Sequence, residues 1–229
     1  MKSKNKTLHH LGYIALAFVG LASNAAHAAN TTWVGNTDAN FGTLANWNSV
    51  TPNGNSPFFG VAGTAGTTLN NDLSGATYWG LVFNSGASAY TIGGNSFTLA
   101  ADITNNSSSL QTINNAMSAT ASRTFNATSG QLVLGGNITD AAGLTLNATN
   151  KITLAGTNTI ATTTTGTNTF FALLVNAGAG GVDITGSTTV GTAGAGGNSF
   201  NGAFAMLGTS AVTLQSGGSL TVNGSGTTA

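Results

Sequence analysis

The chain has 229 residues, enough for one domain with a substantial core, yet only 4% are charged, against roughly 25% in an ordinary globular domain. It contains 33 Gly, 38 Thr and 27 Asn but only 2 Pro, and its formal net charge is zero. Cysteine is absent, which excludes disulfide staples, thiolate zinc sites and cysteine catalysis.

The N-terminus reads as an export address. Lys2, Lys4 and Lys6 precede an apolar run over 11–22, and a short polar stretch ends in Ala26-His27-Ala28. A basic segment, a short apolar segment and an A-x-A site are the three parts of a Sec signal peptide. A membrane span needs about 20 apolar residues, so this run is too short to be one. Cleavage is expected after Ala28, which makes Ala29 the first residue of an exported chain. That chain keeps Arg123 and Lys151 against Asp38, Asp72, Asp102, Asp140 and Asp183, a net charge of −3. It has no basic footprint for nucleic acid and no second apolar segment long enough for a transmembrane helix.

Residues 29–60 form the next unit. Trp33, Phe41, Trp47, Phe58 and Phe59 gather here with both prolines, Pro52 and Pro57, whereas aromatics are sparse afterwards. The segment is expected to cap one end of a stack. If it does, Trp33 and Trp47 should be buried against the first coil.

From 61 to 229 the chain alternates short apolar/Thr segments with turns of Gly, Asn and Ser, and nothing sustains a 3.6-residue period. Disorder is not expected, because Val, Ile, Leu and Phe recur throughout and net charge is low. Strands are predicted at 80–83, 90–92, 96–99, 110–113, 123–125, 131–134, 144–146 and 151–154. Later ones are predicted at 173–175, 182–184, 188–190, 211–214 and 219–222. Alternation puts Leu132 and Leu134 on one inward face, with Thr145 facing outward between Leu144 and Leu146. A loose repeat links 97–104, 132–139 and 152–158: a strand, two small residues, a polar residue and another strand. Leu99 to Leu134 is 35 residues and Leu134 to Leu154 is 20, which suggests coils of about 18–20 residues, two of them in the first interval. Such coils bury their inward faces only by stacking. The expected fold is all-β, a parallel β-helix (solenoid) with an N-terminal aromatic cap. On the order of ten coils would give a rod about 45–50 Å long. A pair of immunoglobulin-like sandwiches is the alternative.

The order of several motifs resembles the opening of proteins with autotransporter-associated β-strand repeats. These are Thr32-Trp33-Val34-Gly35, Ala45-Asn46-Trp47, Pro57-Phe58-Phe59, Gly80-Leu81-Val82-Phe83-Asn84, Tyr90-Thr91-Ile92-Gly93-Gly94 and Leu132-Val133-Leu134-Gly135-Gly136. The likeness covers about residues 31–160. It implies the N-terminal, passenger-type part of a secreted or surface-displayed bacterial protein, a right-handed parallel β-helix without catalytic residues. The characteristic repeat of that family appears here only as 152–159. The tail 224–229 reads as neither an anchor nor the last strand of a barrel, which leaves a released chain or the N-terminal part of a longer autotransporter.

An inventory of reactive groups argues against an enzyme. Glutamate is absent, the five aspartates are dispersed, and His9, His10 and His27 all leave with the signal peptide. Acid–base pairs, Ser-His-Asp triads and histidine metal sites therefore lack their parts, and no cofactor is implied. The glycine-rich stretches 178–181 and 194–197 lack the Lys-Ser/Thr of a phosphate loop and are read as turns. Two functions remain. One is a structural or adhesive rod at the cell surface or outside the cell, meeting a surface glycan or another surface component through its Thr, Asn and Ser faces. The other is a carbohydrate-binding module that uses Trp33, Trp47 and Trp79 as stacking platforms.

Overall fold

The computed structural model describes residues 28–119, 121–163, 173–178, 180–193, 204–207 and 209–223. Residues 1–27 of the signal segment, residue 179 of the stretch 178–181, residues 194–197 and the tail 224–229 lie outside this set. Strand β1 (Asn30–Trp33) is followed by a loop carrying one short 3-10 turn (Leu44–Asn46), and then seven three-stranded coils stack in order. The first four are β2 (Ser56–Phe59), β3 (Thr68–Asn71), β4 (Ala76–Tyr78); β5 (Leu81–Phe83), β6 (Thr91–Gly94), β7 (Phe97–Leu99); β8 (Ile103–Asn105), β9 (Gln111–Ile113), β10 (Met117–Ala119); and β11 (Arg123–Ala127), β12 (Leu132–Leu134), β13 (Ile138–Asp140). The last three are β14 (Leu144–Ala148), β15 (Ile152–Leu154), β16 (Asn158–Thr163); β17 (Leu173–Ala177), β18 (Val182–Ile184), β19 (Ser187–Ala193); and β20 (Phe204–Met206), β21 (Val212–Leu214), β22 (Ser219–Asn223).

The first strand of every coil joins one sheet, the second a second and the third a third, giving parallel sheets of eight, seven and seven strands. This is a parallel β-helix. Sandwiches are excluded, since no ladder between named strands is antiparallel.

The coils differ in size from expectation. Leu134 pairs with Ile113 and Leu154, 21 and 20 residues away, but Ile184 lies 30 residues beyond Leu154. Eight strands at the usual spacing make a stack about 34 Å long, shorter than ten coils would be. The 35-residue interval does not span two coils either. Leu99 belongs to the third sheet and Leu134 to the second, so the strand–small–polar–strand pattern marks two different corners.

The interior is built of columns that run through the coils. In the second sheet Leu69, Ile92, Ile113, Leu134, Leu154 and Ile184 stack in register, each at most 2% exposed. In the first, Leu81, Ile103, Phe125, Leu146 and Val175 do the same. Leu132 and Leu134 point inward and Thr145 is half-buried on the other face, as alternation requires.

Corners are held by glycine and by buried amides. Between the second and third sheets, a Cβ on Gly136 would lie 2.0 Å from the Asn115 carbonyl oxygen, and one on Gly156 2.2 Å from that of Gly136. Backbone stacks directly on backbone there, which is why the repeat needs a small residue. Nearer the N-terminus the same corner uses asparagine, and Asn71 and Asn115 both donate side-chain N–H groups to the Asn95 carbonyl, at 2.8 and 2.9 Å. Between the first and second sheets, buried Asn105 donates to the Ser109 and Gln131 carbonyls (3.0 and 2.9 Å). These bonds satisfy backbone groups that a tight corner takes out of the ladders.

The N-terminal end is closed by aromatic rings. Phe41 and Trp47 lie edge-on at 5.3 Å, Trp33 and Trp47 at 5.1 Å, and Phe59 stacks on Phe83 at 4.9 Å and 22°. The loop carrying Phe41 and Trp47 folds back so that Trp33 and Trp47 form an antiparallel bridge. Asp38 ties the loop together, accepting from the Asn40 N–H (2.7 Å), the Thr43 hydroxyl (2.9 Å) and the Asn46 amide (2.8 Å).

Candidate functional site

A strand with two inward side chains and one outward side chain shows a single residue per coil on its outer face. In the third sheet those residues are Thr77, Thr98, Ser118, Thr139, Thr159, Thr189 and Thr221, in register through all seven coils. In the second sheet they are Thr68, Thr91, Thr112, Val133, Thr153, Asp183 and Thr213. On the first sheet an amide ladder runs outside. Asn126 donates to the Thr104 hydroxyl (3.3 Å), Asn147 to Asn126 Oδ1 (2.9 Å) and Asn176 to Asn147 Oδ1 (3.2 Å). A shallow groove of about 340 Å³ lies along the third sheet, lined by Ser96, Thr98, Met117, Ser118, Asn137 and Thr139 among others. The outer faces are thus lines of hydroxyls, methyls and amides at the coil spacing. The alternation of apolar residues with Thr foreshadows this composition, but the alignment into columns depends on coil lengths that the sequence conceals.

The three tryptophans are not brought together. Trp33 and Trp47 are 1% and 4% exposed, their rings against each other and against Phe41, which leaves neither a free face for a sugar ring. Trp47 donates its indole N–H to the Phe41 carbonyl at 2.8 Å. Trp79 is 50% exposed. It follows inward-facing Tyr78 at the corner between the third and first sheets, so alternation turns it out.

Charged groups serve the scaffold. Lys151 and Asp183 form an ion pair at 2.8 Å across two coils of the second sheet. Arg123 is half-buried and donates from Nε to the Leu99 carbonyl (3.2 Å) and from Nη1 to that of Ser122 (3.1 Å). Asp102 accepts the Thr124 N–H at 2.8 Å. Among the described residues no three of His, Cys, Asp and Glu gather where a metal could sit, and no helix is long and apolar enough to cross a membrane.

Asp140 is the one carboxylate in the interior among the described residues. It stacks between Ala119 and Ile160 and is 1% exposed. Its Oδ1 accepts from the N–H groups of Ala142 and Gly143 (2.8 and 2.9 Å), while Oδ2 is buried without a hydrogen-bond partner. Burial raises its pKa against the lowering influence of those N–H groups and of Arg123. A raised folded pKa gives a contribution that is fully present below the ordinary carboxylate range and is lost as pH rises through the folded value. Asp38 has the opposite sign: the Asn40 N–H and its other donors lower its pKa, so its contribution is lost as pH falls. Asp140→Asn keeps an acceptor at Oδ1 and removes the charge. Its melting temperature relative to the parent is expected to rise from pH 4 to pH 8. A difference that stays constant over that range would contradict the assignment.

No protein-family model matches the chain, and neither does any curated protein or solved structure.

Proposed function

We propose that the chain is the exported, non-catalytic rod of a surface-displayed or secreted protein, and that it works by contact along its outer faces. The observation that carries this reading is the set of unbroken outward columns, Thr77 to Thr221 above all, whose hydroxyls and methyls offer many weak, equally spaced contacts and almost no charge. A surface glycan, rich in hydroxyls, suits such a face. The absence of Cys and Glu from the sequence, and of His beyond residue 27, supports a role without catalysis. The motif order that resembles autotransporter-associated β-strand repeats supports display as a passenger-type segment.

The start of the fold fits the proposed processing site. The Ala29 carbonyl accepts the Ser56 N–H at 3.0 Å and its own N–H donates to Asn55 Oδ1 at 3.0 Å, so the first sheet begins where cleavage would leave the chain. N-terminal sequencing of the exported protein is expected to begin at Ala29, and a product still starting at Met1 would refute export by this route. The contact function is tested by glycan arrays and whole-cell binding. Replacing Thr98, Ser118 and Thr139 together with Lys should abolish binding while melting is little changed. Undiminished binding would remove the third sheet from the reading.

The exposed indole of Trp79 favours a second reading, a carbohydrate platform at one corner. Trp79→Ala should then remove glycan binding on its own. If the columns do the work, it should leave binding within about threefold, well under the 1.4 kcal/mol that a tenfold change represents.

A further inference from the structure

The outer faces of the three sheets are not equally regular. On the third sheet the five strands nearest the N-terminus present Thr77, Thr98, Ser118, Thr139 and Thr159, paired coil to coil without a break. Every one carries a hydroxyl, and all but Ser118 add a methyl group. A second row stands two residues earlier along each strand, where Ser96, Asn137 and Thr157 are exposed. Gly75 and Ala116 in the same row keep it low, and the groove of about 340 Å³ lies there, across four coils. The one charged residue in the described strands of this sheet is Asp140, whose side chain is inside. The second sheet lacks this uniformity. Its column includes Val133 and Asp183, the latter paired with Lys151. The first sheet carries Phe58 and Val82 in its outer column.

The spacing of the third-sheet column is fixed by the ladders. Parallel strands in register repeat at about 4.8 Å. In a tetrahedral network of water molecules joined by hydrogen bonds of about 2.75 Å, two oxygens that share a neighbour lie about 4.5 Å apart. The repeats differ by about 0.3 Å, so four successive coils stay within about 1 Å of such a lattice.

We infer that this face binds ice. The occupant has to be uncharged, extended and periodic at nearly the coil spacing, and a crystal of water is all three. The hydroxyls both donate and accept, so they fit lattice positions. The methyl groups restrict the orientation of the water beside them. An outward charge would hold a hydration shell of its own, and this face has none. The inference rests on the outer column that carries the proposed contact function, but not on a glycan.

The exported chain, cooled in the presence of a single ice crystal, tests this. A gap between the melting and freezing points and faceted crystals are expected. Thr98→Lys combined with Thr139→Lys should remove both effects, while circular dichroism and melting of the protein stay as in the parent. Thr112→Lys combined with Thr153→Lys, at matching positions on the second sheet, should retain both. Glycan arrays on the same proteins keep the two readings apart. Ice that grows unchanged beside the parent chain would overturn this inference, and glycan binding by that chain would leave the contact function standing. Ice activity that survives the third-sheet lysines, or that the second-sheet lysines abolish equally, would overturn it as well.

Discussion

Leu134→Asp is expected to unfold the central coils, at a cost above about 4 kcal/mol. Leu134 is 0% exposed and sits in its column between Ile113 and Leu154. A carboxylate there would meet apolar groups above, below and across the interior. Asp140 shows the conditions under which the fold tolerates an interior carboxylate: it sits at a strand end where two backbone N–H groups reach it. Leu134 also ends its strand, but the N–H groups of Gly135 and Gly136 that follow it both donate to the Ile113 carbonyl, at 2.8 and 3.3 Å, and are not free to meet a carboxylate. Thr145→Ala, on the outer face one coil further on, should cost within about 0.5 kcal/mol. Denaturant melts compare the two, and equal tolerance would contradict the inside–outside assignment.

Removing the cap should have the second largest effect. Deleting residues 29–54 takes away β1 and the loop, and with them Trp33, Phe41 and Trp47. Phe59 and Tyr78, both 0% exposed and in ring contact with Phe41, would lose that cover. The first sheet would also gain a free edge at Ser56–Phe59, now paired with β1. Loss of several kcal/mol and growth of large oligomers are expected, because open solenoid ends associate. Light scattering would show the oligomers. A truncated chain that stays small and melts like the parent would mean that the rings do not close the stack.

Much of the architecture was legible in the residues, and the exceptions have physical causes. The strands read from alternation lie mostly in the first two sheets, where Leu, Ile, Val and Phe fill the interior positions. The third sheet was harder to see. Met117-Ser118-Ala119 has a small residue at an inward position, and β16 begins with a buried Asn158 whose Oδ1 accepts the Ile138 N–H at 3.1 Å. Satisfied polar groups in the interior erase the alternation that reveals a strand. Coil length was hidden for two reasons: similar corner sequences serve two different corners, and spacing grows from 20 to 30 residues along the second sheet. The density of rings over 31–60 pointed to a cap, and burial of Trp33 and Trp47 follows from it. Equating those two with Trp79 as sugar platforms overlooked the strand period, which turns Tyr78 in and Trp79 out.

Register is what turns threonines scattered along the sequence into continuous columns, and engineered cysteines in this cysteine-free chain measure it directly. Val133 and Thr153 are outward neighbours in the second sheet. Adjacent strands lie about 4.8 Å apart, within the Cα separation of about 4.4–6.8 Å that a disulfide spans. Val133→Cys with Thr153→Cys should oxidise within one molecule in high yield. Val133→Cys with Thr145→Cys, which face out from different sheets, should not. A failure of the first pair to close, or closure of the second in its place, would contradict the stacked coils and the contact surface built on them.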